Sequence, residues 1–203
     1  SGVNDVGLES ISAFRHVEFI NLSDTAVTDA GLRHLAGMKS LTFLLLQRTS
    51  ITDEGLSHLR NLTALEYLYL GSTDVTSLAD LGELTNLNTI ELSETRVDDA
   101  GLAGLGAFPK LETLILSKTK VLGPGLAGLK NAMQLSTLKL NETRINDAAL
   151  AGLLELPKLT RLEVSSTRIT DATLVRITRA KRLVYGPHVT GDGTLAERLN
   201  YLD

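Results

Sequence analysis

Seven threonines recur along this chain at almost constant distance: Thr25, Thr49, Thr73, Thr95, Thr119, Thr143 and Thr167. The steps between them are 24, 24, 22, 24, 24 and 24 residues. A repeat of this period means one supersecondary unit stacked on copies of itself, and it overrides any element-by-element reading. Each threonine closes the pattern L-x-x-L-x-L-x-x-T, as with Leu41, Leu44 and Leu46 before Thr49, or Leu111, Leu114 and Leu116 before Thr119. Two residues further on stands a second apolar residue: Val27, Ile51, Val75, Val97, Val121, Ile145 or Ile169. A Thr-Asp pair or a relative of it follows, and then leucines at helical spacing such as Leu102 and Leu105.

The alternation L-x-L specifies a short strand with one buried face. Such a strand cannot stand alone, so it pairs with the strands of the units before and after it. Equivalent side chains then stack about 4.8 Å apart. Threonine suits a stacked column, because its methyl fills the stack and its hydroxyl can satisfy a backbone group where the chain leaves the strand. The pairs Thr28-Asp29, Thr52-Asp53, Asp98-Asp99, Asn146-Asp147 and Thr170-Asp171 read as helix starts. Thr, Asp or Asn there can cap the first free amides, and the acid favours the positive end of the helix. Leucines at i and i+3 turn that short helix inward. In two units Phe108-Pro109-Lys110 and Leu156-Pro157-Lys158 end the helix, since proline cannot continue it and favours an extended predecessor.

The string L-x-x-L-x-L-x-x-T-x-[IV]-T-D-x-x-L resembles the leucine-rich repeat superfamily. The 24-residue units are similar to bacterial and ribonuclease-inhibitor-like repeats, with Thr where many families carry Asn or Cys. The shorter unit, Leu65 to Leu84, is similar to the 22-residue type of internalin-like repeats. The resemblance covers roughly residues 3–183. It implies an α/β solenoid, right-handed and curved, with a parallel β-sheet on the concave face and short helices on the convex face. It also implies a protein-binding scaffold without saying what is bound. The expected organisation is a single domain over 1–203: a partial first repeat at 1–16, seven repeats over 17–183, and an eighth strand with a C-terminal cap at 184–203. Val3 and Leu8 fall 24 residues before Val27 and Leu32, so the chain starts mid-repeat, as a fragment of a longer protein would. In the expected cap, Leu195, Leu199 and Leu202 face inward behind Asp192 or Thr194, because a solenoid must cover its last apolar layer. A homodimer paired through an open first coil is compatible with this organisation.

Between the buried leucines the side chains point outward. The residue before the second leucine runs Phe19, Phe43, Tyr67, Thr89, Thr113, Thr137, Arg161, Tyr185. The residue after it runs Asn21, Leu45, Tyr69, Glu91, Ile115, Lys139, Glu163. Of only eight aromatics in the chain, four lie here in three consecutive units. Phe19, Phe43, Leu45, Tyr67 and Tyr69 therefore form the candidate partner-binding patch, since exposed apolar patches mark interaction sites and aromatics serve as anchors. A cross-strand ladder that only stabilises the sheet is the competing role.

A second candidate is the strip Arg96, Lys120, Arg144 and Arg168, one residue past each threonine. Beside it, one residue before, run Glu94, Lys118, Glu142 and Ser166. The strip could hold an acidic partner or a phosphate. A solvated edge whose charges pair across strands, Glu94 with Lys118 or Lys118 with Glu142, is the favoured reading, because the charges nearly cancel.

Chemistry is sparse. The net charge of −4 argues against bulk nucleic-acid binding. There is no cysteine, hence no disulfide framework and no thiolate nucleophile or ligand; this suits a cytoplasmic protein or a secreted effector. No run of 18 apolar residues could span a membrane. His34 and His58 are one repeat apart but lack a third ligand, His16 and His188 stand alone, and Gly123-Pro124-Gly125 lacks the Lys of a phosphate loop. No metal, cofactor or catalytic residue is expected. The chain reads as a noncatalytic protein-interaction scaffold. The alternative is a regulatory or targeting segment of a larger effector or signalling enzyme whose catalytic domain lies outside it.

Overall fold

The computed structural model describes residues 2–150, 153, 156–173 and 184–185; the expected cap residues Asp192, Thr194, Leu195, Leu199 and Leu202, and His188, lie outside the described residues. Eight short strands form one parallel sheet in chain order: β1 (Phe19–Asn21), β2 (Phe43–Leu45), β3 (Tyr67–Tyr69), β4 (Thr89–Glu91), β5 (Thr113–Ile115), β6 (Thr137–Lys139), β7 (Arg161–Glu163) and β8 (Val184–Tyr185). From β1 to β7 the register follows the threonine count, with Phe19 opposite Phe43, Phe43 opposite Tyr67 and Tyr67 opposite Thr89. The 22-residue unit keeps this register, so its two missing residues come off the other side of the coil. The last connection differs: Val184 pairs with Arg161 and Tyr185 with Leu162. Tyr185 thus falls one position away from the outward column in which 24-residue counting places it.

The inward columns build the core. Leu44, Leu68, Ile90, Leu114 and Leu138 are fully buried, as are Leu46, Leu70, Leu92, Leu116 and Leu140. Every threonine of the repeat column donates its hydroxyl to the carbonyl three residues back, from Thr25 to Leu22 at 2.6 Å through Thr95 to Leu92 at 2.7 Å to Thr167 to Val164 at 2.7 Å. That bond occupies a carbonyl turned away from the ladder at the corner. The residue before each threonine adopts a left-handed conformation: Asp24, Arg48, Ser72, Glu94, Lys118, Glu142 and Ser166 have φ of 53–60°. None is glycine, so the corner carries strain that stacking of the coils maintains.

The opposite side of the coil is less regular than the sequence implies. Among the described residues short α-helices include α1 (Asp5–Ile11), α2 (Asp29–Leu32), α3 (Asp53–Ser57) and α4 (Asp147–Leu150), and residues 171–173 are also helical. Tighter 3₁₀ turns take the same place at Ala79–Leu81, Ala103–Ala107 and Pro124–Asn131. A segment this short turns its leucines inward with i→i+3 bonds, as from Leu81 N–H to Leu78 O at 3.0 Å.

The aspartates of the Thr-Asp pairs require a correction. Their position implies capping of their own helices, but the carboxylates of Asp29, Asp53, Asp99 and Asp147 reach the next coil. Asp29 accepts the amide of Thr52 at 2.8 Å and its hydroxyl at 2.6 Å. Asp5 holds Thr28 and Asp147 holds Thr170 in the same way. Asp99 accepts three amides, from Leu122, Gly123 and Gly125, at 2.8–3.0 Å. Local capping falls to Asn4, Thr52, Ser77, Asn146 and, as expected of its pair, Asp98, which accepts the Gly101 amide at 3.0 Å. Gly55 makes room for this clasp, because a Cβ there would stand 2.3 Å from Asp29 Oδ1. The clasp satisfies an amide left over where the extended corner enters the helix, and it ties each coil to the one after it.

Candidate functional site

The aromatic row is assembled by the ladder itself. Parallel pairing sets Phe19, Phe43 and Tyr67 side by side and Leu45 beside Tyr69. The rings of Phe19 and Phe43 are 5.2 Å apart. Phe43 stacks on Tyr67 at 4.9 Å and on Tyr69 at 5.5 Å, with interplanar angles of 20° and 15°. Phe43 is therefore the hub of the row. Phe19 closes the stack at the sheet edge and is 58% exposed; Phe43, Leu45, Tyr67 and Tyr69 are half-buried. All five predicted patch residues are contiguous, and the row is both a stabilising ladder and an accessible surface.

The row stops at β4, where Thr89 and Glu91 are buried. Glu91 occupies an outward column, and nothing in the sequence marks it as buried. Its Oε2 accepts the Gly71 amide at 3.0 Å and its Oε1 accepts the Ser93 amide at 2.7 Å. Gly71 allows this, since a Cβ there would come within 2.5 Å of Oε2. The aromatic row thus ends against a carboxylate fixed by two amides. Burial, together with the charge of Glu91 and the neighbouring Tyr67, pushes the Tyr69 hydroxyl above its ordinary value.

The other end of the sheet is charged. Glu163 accepts from Asn141 at 3.0 Å and pairs with Lys139 at 3.3 Å and Arg161 at 2.8 Å. Burial pushes its carboxyl up, and the bonds from Asn141, Lys139 and Arg161 outweigh that and hold it below its ordinary value.

Two charged columns flank the corner threonines and behave differently. In the column before the threonine, signs alternate and pair: Arg48 grips Asp24 with two guanidinium nitrogens, one contact at 2.6 Å. Lys118 lies 2.8 Å from Glu94 and 4.0 Å from Glu142. Hydrogen bonds from Lys118 and Ser72 hold the Glu94 carboxyl below its ordinary value. In the column after the threonine, Arg96 pairs with Asp74 at 2.9 Å. Lys120, Arg144 and Arg168 are exposed and make no ion pair among the described residues.

His34 Nε2 accepts from its neighbour Arg33 at 3.3 Å. No group of three or more His, Asp or Glu side chains among the described residues is arranged to hold a metal ion. No helix among them is long and apolar enough to cross a membrane.

No protein-family model matches the sequence, and no curated protein matches it closely enough to be a relative. Solved structures do match. Internalin C2 from Listeria monocytogenes superposes with a TM-score of 0.77 at 23% identity, over 92% of this chain and 76% of its own. The chain has the leucine-rich repeat fold. An internalin F from the same species gives a TM-score of 0.73 at 27% identity over 88% of this chain, which spans half of that longer protein. The plant peptide hormone receptor RGFR1, solved in complex with RGF2, gives 0.63 at 19% identity, and this chain spans 30% of it. The leucine-rich repeat frame explains why the inward columns are monotonous while the outward ones are not: only the former carry the packing.

Proposed function

We propose that the chain is a noncatalytic protein-binding module that takes its partner on the concave face, with Phe19, Phe43, Leu45, Tyr67 and Tyr69 as anchors. The observation that carries the reading is the continuous, accessible row in which Phe43 stacks on both tyrosines. Rigid aromatics bury large areas at little conformational cost, so they supply most of the energy of many interfaces. A receptor of the same fold solved in complex with its partner supports the reading, as do the internalin likenesses.

The test is affinity capture from source-organism lysate with the chain and a variant carrying Phe19→Ser, Phe43→Ser, Tyr67→Ser and Tyr69→Ser. Circular dichroism must show both to be folded. A protein retained by the first and lost by the second is the expected result. Equal retention by the two overturns the reading.

A further inference from the structure

The two charged columns beside the corner threonines contrast within one molecule. The column before the threonine alternates in sign, and its members neutralise one another across the coils, as Lys118 does with Glu94 and Glu142. The column after it turns uniformly cationic from the fourth unit on, and Asp74 neutralises only its first member, Arg96. Lys120, Arg144 and Arg168 take the same place in three successive coils, exposed, without an acid within ion-pair distance among the described residues. The backbone of the first and last is tied to the preceding coil, with Lys120 N–H on Val97 O and Arg168 N–H on Ile145 O, both at 2.9 Å. At this corner the strand bridge sets Arg168 opposite Asn146, and the three like charges recur on successive coils of one frame, where they repel one another. A solubilising edge is better served by the alternating pattern found two residues away. An uncompensated row that the fold holds in place is complementary to a row of anions.

We propose that the partner segment seated on the aromatic row also carries a run of carboxylates that lies along Lys120, Arg144 and Arg168. This rests on the binding role proposed for that row. The aromatic end spans β1–β3 and the cationic row spans the units of β5–β7, four strand steps away. Along the sheet, centre to centre, that is about 20 Å; the cations stand five to seven residues further along their coils, so the gap is about 25 Å, or roughly eight extended residues. One extended acidic segment with an apolar anchor therefore reaches both. A polypeptide is favoured over a nucleic acid. The paired column keeps Glu94 and Glu142 beside the cations, the net charge is −4, and a polyphosphate would meet those carboxylates.

The test is selection of a random 16-residue peptide library, on the order of twice the required span, against the chain. Two variants are run in parallel: the four-aromatic Ser variant, and Lys120→Glu with Arg144→Glu and Arg168→Glu, both checked for native circular dichroism. Selected peptides are expected to pair an apolar cluster with several Asp or Glu residues. Their affinity should fall at least about 10-fold in the triple charge reversal, and similarly on raising salt from about 50 to 300 mM. Peptides without acidic enrichment, or undiminished by the charge reversal, overturn this inference and leave the aromatic anchor standing. Peptides bound equally by the four-aromatic variant overturn the anchor instead. A lack of any selected peptide counts against both. Tighter binding of poly(U) RNA than of any acidic peptide, lost in the charge reversal, assigns the row to nucleic acid and overturns the inference.

Discussion

The two ends of the concave sheet share one skeleton and differ only in what faces outward. Along β1–β3 the outward residues are Phe19, Phe43, Leu45, Tyr67 and Tyr69, stacked ring on ring. Along β5–β7 they are threonines, Ile115 and the cluster of Lys139, Arg161 and Glu163. Beneath both, the leucines are equally buried. Each coil can bury its leucines only against another coil, so the inward columns cannot vary without losing the fold. The outward columns have no such obligation. Their differences are where the proposed recognition chemistry lies, with Glu91 and Gly71 marking the border.

The strongest challenge to this comparison is a pair of core truncations. Leu44→Ala beneath the aromatic end and Leu138→Ala beneath the charged end should each cost about 3–5 kcal/mol in chemical denaturation, because each leaves a leucine-sized cavity. A large inequality would mean that the two ends do not share one scaffold.

On the surface an asymmetry is expected. Phe43→Ala removes three ring contacts and should cost about 1–3 kcal/mol in the same measurement. Ile115→Ala, without an aromatic neighbour, should cost less.

A smaller effect tests the corner that both ends share. Ser72 has a φ of 57°. Ser72→Val should be less stable than Ser72→Gly by about 1–2 kcal/mol, since a β-branched residue resists the left-handed conformation. Equal stabilities would show that the corner relaxes.

The smallest expected effect concerns acid. Amide and hydroxyl bonds from Thr170 hold the Asp147 carboxyl below its ordinary value, and Glu163 is likewise held down. A carboxyl depressed in the folded state takes up protons first when unfolded, so its stabilisation is present above the unfolded pKa and disappears as pH falls through the folded one. The thermal midpoint should therefore drop below about pH 4. Asp147→Asn should lower the midpoint at neutral pH and flatten that dependence. An unchanged acid limb would place the sensitivity elsewhere.

Much of this molecule is legible in its residues. The threonine spacing yields strand order and register through β7, because each strand stands at the same distance before its threonine; the count slips only at Tyr185, where the last connection is one residue shorter. The patch residues are legible for the same reason, since alternation assigns each side chain to a face. The clasps are not. An aspartate at a helix start can satisfy its own helix or the coil 23 residues on, and local sequence does not distinguish the two. Glu91 reads as exposed until Gly71 is seen to leave space for it. The pairing of Lys118 with Glu94 and Glu142 is anticipated by alternating sign, whereas the lack of an ion pair at Lys120, Arg144 and Arg168 among the described residues emerges only from the tertiary structure.

By itself the sequence determined the solenoid, its parallel sheet and the face on which its aromatics gather. Those follow from periodicity, which is a property of the chain. The tertiary structure alone decided which carboxylate holds which amide, where 3₁₀ turns replace α-helix, and which charges remain uncompensated. Each of these depends on distances between neighbouring coils of a few ångströms, and a hydrogen bond or ion pair is made or lost within that range.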